Sequence, residues 1–223
     1  MRDPISLSTA LLDGLIDVEE VGPVNRIIHE LSVITDDIAV VEAFSHSICV
    51  STEEGLVVFD TSNEGGGSKA VEAIRGWKDD RFNSIVYTHG HVDHVGGCGA
   101  FLSESSERGF ERPKIIGHRN VSKRFNRYMA TIGYNKIINK RQFGNLTKRG
   151  LGSSSQDAWN FSSEQSPDPD LIYDDTLEFS VGGVPINLIH ARGETNDHTW
   201  AWLPKQKTIC AGDFFIWSFP NAG

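Results

Sequence analysis

Ten consecutive residues limit what this chain can fold into more than any others: Thr88-His89-Gly90-His91-Val92-Asp93-His94-Val95-Gly96-Gly97. Three imidazoles and one carboxylate fall within six of those positions, in a chain with only eight histidines. The run before them, Asn83-Ser84-Ile85-Val86-Tyr87, is short, apolar and β-branched, so it reads as a buried strand ending at Thr88. The ligand-type side chains therefore sit on the loop leaving a strand. His89 and His91 are two apart and point to the same side in extended backbone. Asp93 and His94 follow a bend and address a second point close by. Such a loop can hold two divalent metal ions side by side. Neutral imidazole with carboxylate suits zinc, and also iron or manganese.

Composition bounds the rest. A chain of 223 residues is one domain, 1–223, and buries a substantial core. Its 39% hydrophobic and 23% charged residues describe an ordinary globular protein. A net charge of −9 argues against nucleic acid or an anionic membrane as a general partner. Cys49, Cys98 and Cys210 are odd in number and far apart, with no Cys-x-x-Cys pair, which argues for a reducing compartment and buried, inert thiols. No apolar run approaches a membrane span, and the acidic N-terminal stretch lacks a secretory core, so the expected location is cytoplasmic. An oligomer stays open.

Along the chain, residues 24–58 read as an antiparallel meander with turns at Ile34–Ile38 and Ser51–Gly55. Gly65-Gly66-Gly67-Ser68 opens a helix carrying Ala70, Val71, Ile74 and Trp77. After the metal loop come a short helix, the strand Lys114–Gly117 and a helix over Val121–Ile132. Residues 133–169 are rich in Gly, Ser, Asn and basic residues and read as an inserted loop or lid. Strands return at Leu177–Val181, Pro185–His190, Thr199–Leu203 and Thr208–Ala211. Trp200 and Trp202 alternate along one strand and share a face, read as core. Strands, then alternating strands and helices, then strands again give a layered α/β fold with its site at strand ends.

Two ions need more ligands than one loop supplies. Glu194 and Asp213 both follow strand-like runs, so both can project from the same edge as the first loop. His190 and His198 are the alternatives. Asp60 ends the strand Leu56–Phe59. His118 follows a strand and reads as structural. Arg119 and Arg192 lie on the same side and are candidates for binding an anionic group, or for salt bridges.

The pattern His-x-His-x-Asp-His, entered from a strand and left through Gly-Gly, resembles the signature of the metallo-β-lactamase superfamily. The resemblance implies an αβ/βα sandwich, two facing mixed sheets flanked by helices. It implies that Asp60 orients the metal loop and that Asp213 bridges the two ions. Many relatives read Gly-His-Thr-x-Gly-His where this chain reads Gly193-Glu194-Thr195-Asn196-Asp197-His198. Aligned on Gly and Thr, Glu194 takes the ligand position, and a Glu followed some twenty residues later by an acid looks like the alkylsulfatase branch. His89, His91 and Glu194 would then hold one metal, and Asp93 and His94 the other, with Asp93 and Asp213 also taking catalytic roles. The family's last ligand is a His well beyond the bridging acid. Here no His follows His198, so the fold is expected to be incomplete at its C-terminus.

The function this implies is a metal-dependent hydrolase. A metal-bound hydroxide would act on an ester-type substrate, with an anionic small molecule such as an alkyl sulfate ester favoured. An iron-dependent oxidoreductase on the same scaffold and a degenerate metal-binding module without catalysis are the alternatives. No Gly-x-Ser-x-Gly supports a serine hydrolase.

Overall fold

The computed structural model describes residues 4–17, 27–138, 141 and 161–215. Helix α1 (Pro4–Leu12) comes first. Strands β1 (Leu31–Thr35), β2 (Ile38–Val41), β3 (Ser47–Thr52) and β4 (Gly55–Phe59) follow one another through short turns, and each pair is antiparallel. Turns of two residues, Asp36-Asp37 and Glu53-Glu54, permit nothing else.

From β4 the pairing changes sense because helices intervene. Helix α2 (Glu64–Arg75) carries the chain over the sheet to β5 (Phe82–Val86), which runs parallel to β4. Helices α3 (Val92–Val95) and α4 (Cys98–Glu107) lead to β6 (Lys114–His118), parallel to β5. Helix α5 (Asn120–Ala130) follows, and β7 (Leu171–Tyr173) closes a seven-stranded mixed sheet in chain order. The metal loop thus leaves the C-terminal end of β5, a strand flanked on both sides by parallel partners. That is the edge where α/β sheets bind ligands.

Strands β8 (Thr176–Val181), β9 (Val184–His190), β10 (Thr199–Leu203) and β11 (Thr208–Cys210) form a second sheet, ordered β11-β10-β9-β8. It was expected to be mixed, and among its described strands it is antiparallel throughout. The reason is local: Gly182-Gly183, both at positive φ (50° and 73°), make a tight hairpin, and no helix intervenes between these strands.

The two sheets face each other across Val50, Val57, Phe59, Val86 and Ile116 on one side and Val181, Ile186, Leu188, Ala201 and Leu203 on the other. Helices α2, α4 and α5 cover the other face of the first sheet through Ala70, Ile74, Phe101, Val121 and Phe125. Trp200 and Trp202 do share one face, as their spacing requires. That face is the outer one of the second sheet, where both are half-buried, because Thr199, Ala201 and Leu203 take the inward positions. All three cysteines are free and buried. No described helix is long and apolar enough to cross a membrane.

Of the expected insertion at 133–169, residues 142–160 lie outside the described residues. At its far end Phe161 packs on Phe125 and Tyr128 of α5, with ring centroids at 4.8 and 5.7 Å.

Two glycines let α2 press against the start of α4. A Cβ at Gly97 would lie 2.0 Å from the Thr61 carbonyl oxygen and 2.6 Å from the Gly67 Cα, and backbone cannot yield there. Gly97→Ala should therefore cost at least about 1–3 kcal/mol by overpacking and lower the thermal midpoint. Gly133→Ala, in a helical stretch with open space around its Cβ, should instead be neutral or stabilising. Thermal denaturation of the two variants checks the pair.

Candidate metal centre

The site is organised from Asp60, the residue after β4. Its φ of 59° lies in the left-handed region, which Asp tolerates better than most residues. From there the buried carboxylate accepts from the Thr88 backbone N–H at 2.8 Å and from the Thr88 hydroxyl at 2.7 Å. The same carboxylate lies 2.7 Å from His94 Nδ1. Since a carboxylate only accepts, His94 Nδ1 carries a proton and Nε2 is turned away from Asp60. The neighbouring loop adds Thr61, whose backbone N–H and hydroxyl both donate to the His94 carbonyl, at 2.7 and 3.0 Å.

Proton bookkeeping then fixes His89. The Thr88 hydroxyl gives its one proton to Asp60, so across the 3.1 Å contact with His89 Nδ1 the imidazole is the donor. Burial, together with His94, His91 and His198 close by, pushes the His89 pKa well below its ordinary value. His89 is thus neutral, with the Nε2 lone pair free.

His89 Nε2 and His94 Nε2 are buried and without a hydrogen-bond partner. Yet acids stand close to both. His89 Nε2 is 3.7 Å from Glu194 Oε2 and 4.0 Å from Asp213 Oδ2. His94 Nε2 is 3.3 Å from Asp213 Oδ2 and 3.6 Å from Asp93 Oδ2. His91 Nδ1 is 3.4 Å from Glu194 Oε2. Buried polar atoms without partners are rare and call for an explanation. Donor atoms gathered around common points, near but not bonded to one another, are what a shared cation requires. Among the described residues two groups meet that description: His89, His91 and Glu194, and His89, His94 and Asp213. The donors are imidazole and carboxylate only, a set that fits divalent zinc, iron or manganese. His89 and His94 form a buried floor, whereas the His91, Glu194 and Asp213 side chains are 27%, 41% and 29% exposed, so the mouth is open.

The six sequence-derived candidates, His89, His91, Asp93, His94, Glu194 and Asp213, therefore converge at one edge. Asp93 Oδ2 accepts from Ser45 Oγ at 2.6 Å. His198 packs on His89 and Phe214, with centroids at 4.3 and 4.2 Å. Its Nε2 accepts the Asp213 backbone N–H at 3.2 Å and is not turned toward the acids. His190 and His118 stack on each other at 3.8 Å beside the site. His190 Nδ1 donates to the His198 carbonyl, and His118 Nδ1 accepts from the Asn120 N–H. Arg119 pairs with Asp174, which takes it out of contention as a free anion binder, and Arg192 is exposed.

The sequence model of the metallo-beta-lactamase superfamily matches residues 41–216, most of the chain. The chain belongs to the metallo-β-lactamase superfamily. Among curated proteins it is 23% identical over 175 residues to a linear primary-alkylsulfatase from Pseudomonas sp. (strain ATCC 19151), covering 74% of this chain and 32% of that protein. Among solved structures, the stereoselective inverting sec-alkylsulfatase Pisa1 from Pseudomonas sp. superimposes with a TM-score of 0.60 at 17% identity, over 79% of this chain and 30% of that one. A Cronobacter sakazakii metallo-β-lactamase with a HARLDQ motif gives 0.60 at 15% identity, over 88% and 66%. These structural likenesses establish a shared fold. The chain spans about a third of the alkylsulfatases it matches.

In this member of the superfamily, three residues that sequence reading passed over support the site: Ser45, Arg124 and Asp197. Ser45 comes from the loop between β2 and β3, and Arg124 from α5. Neither has a local motif. Asp197 was visible in the Glu194 segment only as a departure from the common pattern.

His94 supplies a proton test. Burial alone would lower its pKa, but Asp60, Asp213 and Asp93 outweigh burial and raise it well above 6.5. A raised imidazole pKa favours folding below about pH 6.5, and that contribution is lost as pH rises through the folded value. A bound cation takes the proton's place. Titrating zinc into metal-free protein at pH 7 should therefore release a proton, read by calorimetry in buffers of different ionisation enthalpy. Asp60→Asn should shrink that release and weaken zinc binding by roughly 10- to 100-fold.

Proposed function

We propose that this protein is a binuclear metal-dependent hydrolase acting on an anionic ester, with alkyl sulfate esters the favoured class. The observation that carries the metal reading is the pair of buried, unpartnered Nε2 atoms on His89 and His94 facing Glu194, Asp213 and Asp93. His89, His91 and Glu194 are assigned to one ion, Asp93 and His94 to the other, and Asp213 to both. Zinc held by these residues would supply a water activated near neutral pH and positive charge for the attacked centre.

The protein's own contribution is orientation and charge. Asp60 fixes the orientation of the His94 ring and Thr88 the tautomer of His89, so His89 Nε2 presents a lone pair and His94 Nε2 presents one to the same space once a cation displaces its proton. Asp213 stays ionised: burial opposes this, but the His94 charge holds its carboxyl below the usual carboxylate range. Ser45 donates to Asp93 and holds that carboxylate at the rim. The open mouth beside Glu194 leaves room for an ester to approach from solvent.

Support for the sulfate ester comes from Glu194 standing where many relatives carry His, from an acid nineteen residues on at Asp213, and from the likeness to the linear primary-alkylsulfatase. With its Nε2 engaged by Asp213 N–H, His198 is the weaker candidate ligand.

Two variants separate the ligand assignments. Glu194→Gln keeps size but loses charge, and should strip the His89 site of its ion while the fold survives. His198→Ala should weaken binding by roughly 10- to 100-fold through orientation alone. If His198→Ala strips the metal and Glu194→Gln does not, the sulfate-ester reading falls with the Glu194 assignment.

A substrate panel of alkyl sulfates, phosphates, lactones and thioesters, run with zinc-loaded protein, tests the reaction class. Turnover highest on alkyl sulfates is expected. Turnover confined to lactones or thioesters would overturn the sulfate choice and leave the hydrolase reading standing.

A further inference from the structure

Arg124 is a charged side chain in an unusual place. It lies on α5 with its side chain 9% exposed, and its partner Asp197 is fully buried. Arg124 Nε donates to both Asp197 oxygens, at 3.0 and 3.1 Å, and Nη2 reaches Oδ1 at 3.0 Å. Asp197 Oδ2 also accepts the Gly90 backbone N–H at 2.9 Å, inside the His89-Gly90-His91 turn. Arg124 Nη2 further donates to Asn196 Oδ1 at 3.3 Å, and Asn120 Nδ2, also on α5, donates to the Asn196 carbonyl at 3.0 Å. One helix therefore grips the segment carrying Glu194 at two adjacent residues. That same segment grips the backbone between the two histidines that share a candidate ion with Glu194.

Burying such a pair is poor value as a source of stability. Desolvating two charges offsets most of their attraction, and apolar residues of similar volume often serve as well. What the pair offers beyond stability is geometry. A guanidinium fork on a carboxylate fixes direction as well as distance. The fit is tight, since a Cβ at Gly90 would lie 3.0 Å from both Arg124 Cδ and Asp197 Oδ2. The common family pattern has glycine at position 197, which has no side chain to offer either group.

We propose that Arg124, acting through Asp197, is a positioning residue that sets the separation between Glu194 and the His89/His91 pair, and so tunes the affinity of the ion those three hold. The proposal rests on the metal assignment made above. Arg124 touches no candidate ligand side chain. Its effect should therefore be larger at that ion than at the other, whose ligands Asp93 and His94 are anchored separately through Ser45 and Asp60.

The experiment is zinc titration of metal-free full chain against a chromophoric chelator, with the thermal midpoint of each metal-free variant measured alongside. Arg124→Lys keeps the charge and loses the fork. It should weaken the Glu194-dependent ion by roughly 10- to 100-fold, the range usual for residues that orient ligands, and weaken the other ion clearly less. Asp197→Asn, which keeps an acceptor for Gly90, should do the same if the Arg124 variant folds poorly. In a Glu194→Gln background, Arg124→Lys should cause no further loss, because the residue it acts through is already disabled. Equal weakening of both ions, or full additivity with Glu194→Gln, would make Arg124 a general structural residue and overturn the proposal. Wild-type affinity in both Arg124→Lys and Asp197→Asn would overturn it while leaving the metal assignment intact. Failure of the wild-type chain to bind zinc, or of Glu194→Gln to weaken it, would overturn the assignment itself and the proposal with it.

Discussion

The carboxylate of Asp60 is the contact on which the rest of the site depends. A single buried group fixes the end of β5 through Thr88, the tautomer of His94 directly, and that of His89 through the Thr88 hydroxyl. Without it, each imidazole would have two tautomers and a rotating hydroxyl as neighbour. With it, the Nε2 atoms of both rings face the same space, His89 with a lone pair and His94 with a proton that a cation can replace. The backbone that aims Asp60 is in the left-handed region, and so is Ser62 two residues on. Strained conformations of this kind cluster at functional sites, where surrounding structure enforces them.

Charge is distributed to match. His89 is driven neutral by burial and by its imidazole neighbours, while His94, among three acids, is held protonated until something replaces the proton. Two rings with centroids 4.1 Å apart thus have opposite tendencies. Neighbours explain the contrast better than depth, since both rings are buried. The exposed acids at the rim balance a cationic charge that the imidazoles cannot. The site is therefore a cation-binding arrangement whose floor is dry and whose rim is wet.

The fold supplies this geometry by bringing two sheets edge to edge at one end. The metal loop leaves the parallel part of the first sheet, and the Glu194 and Asp213 loops leave the second. A backbone hydrogen bond from Thr199 N to the Thr88 carbonyl, at 2.7 Å, ties the two sheets where the loops meet. The Arg124–Asp197 pair does so again from the helical layer. Candidate ligands separated by more than a hundred residues are held together by contacts made largely by other residues.

The sequence by itself determined the elements and most of the candidate ligands. Short apolar runs rich in Val and Ile, glycine turns and the His-x-His-x-Asp-His spacing are local signals, each readable within a window of ten or so residues. Glu194 and Asp213 were legible because each follows a strand and because a known pattern marks the place. Tertiary structure alone decided which face each sheet buries. Trp200 and Trp202 were bound by spacing to share a side, and nothing in the spacing says which side meets the other sheet. It also decided the supporting contacts. Ser45 reaches Asp93 across 48 residues, and Arg124 reaches Asp197 across 73. Pairings at such separations depend on how whole layers pack, and a single sequence carries no local trace of them.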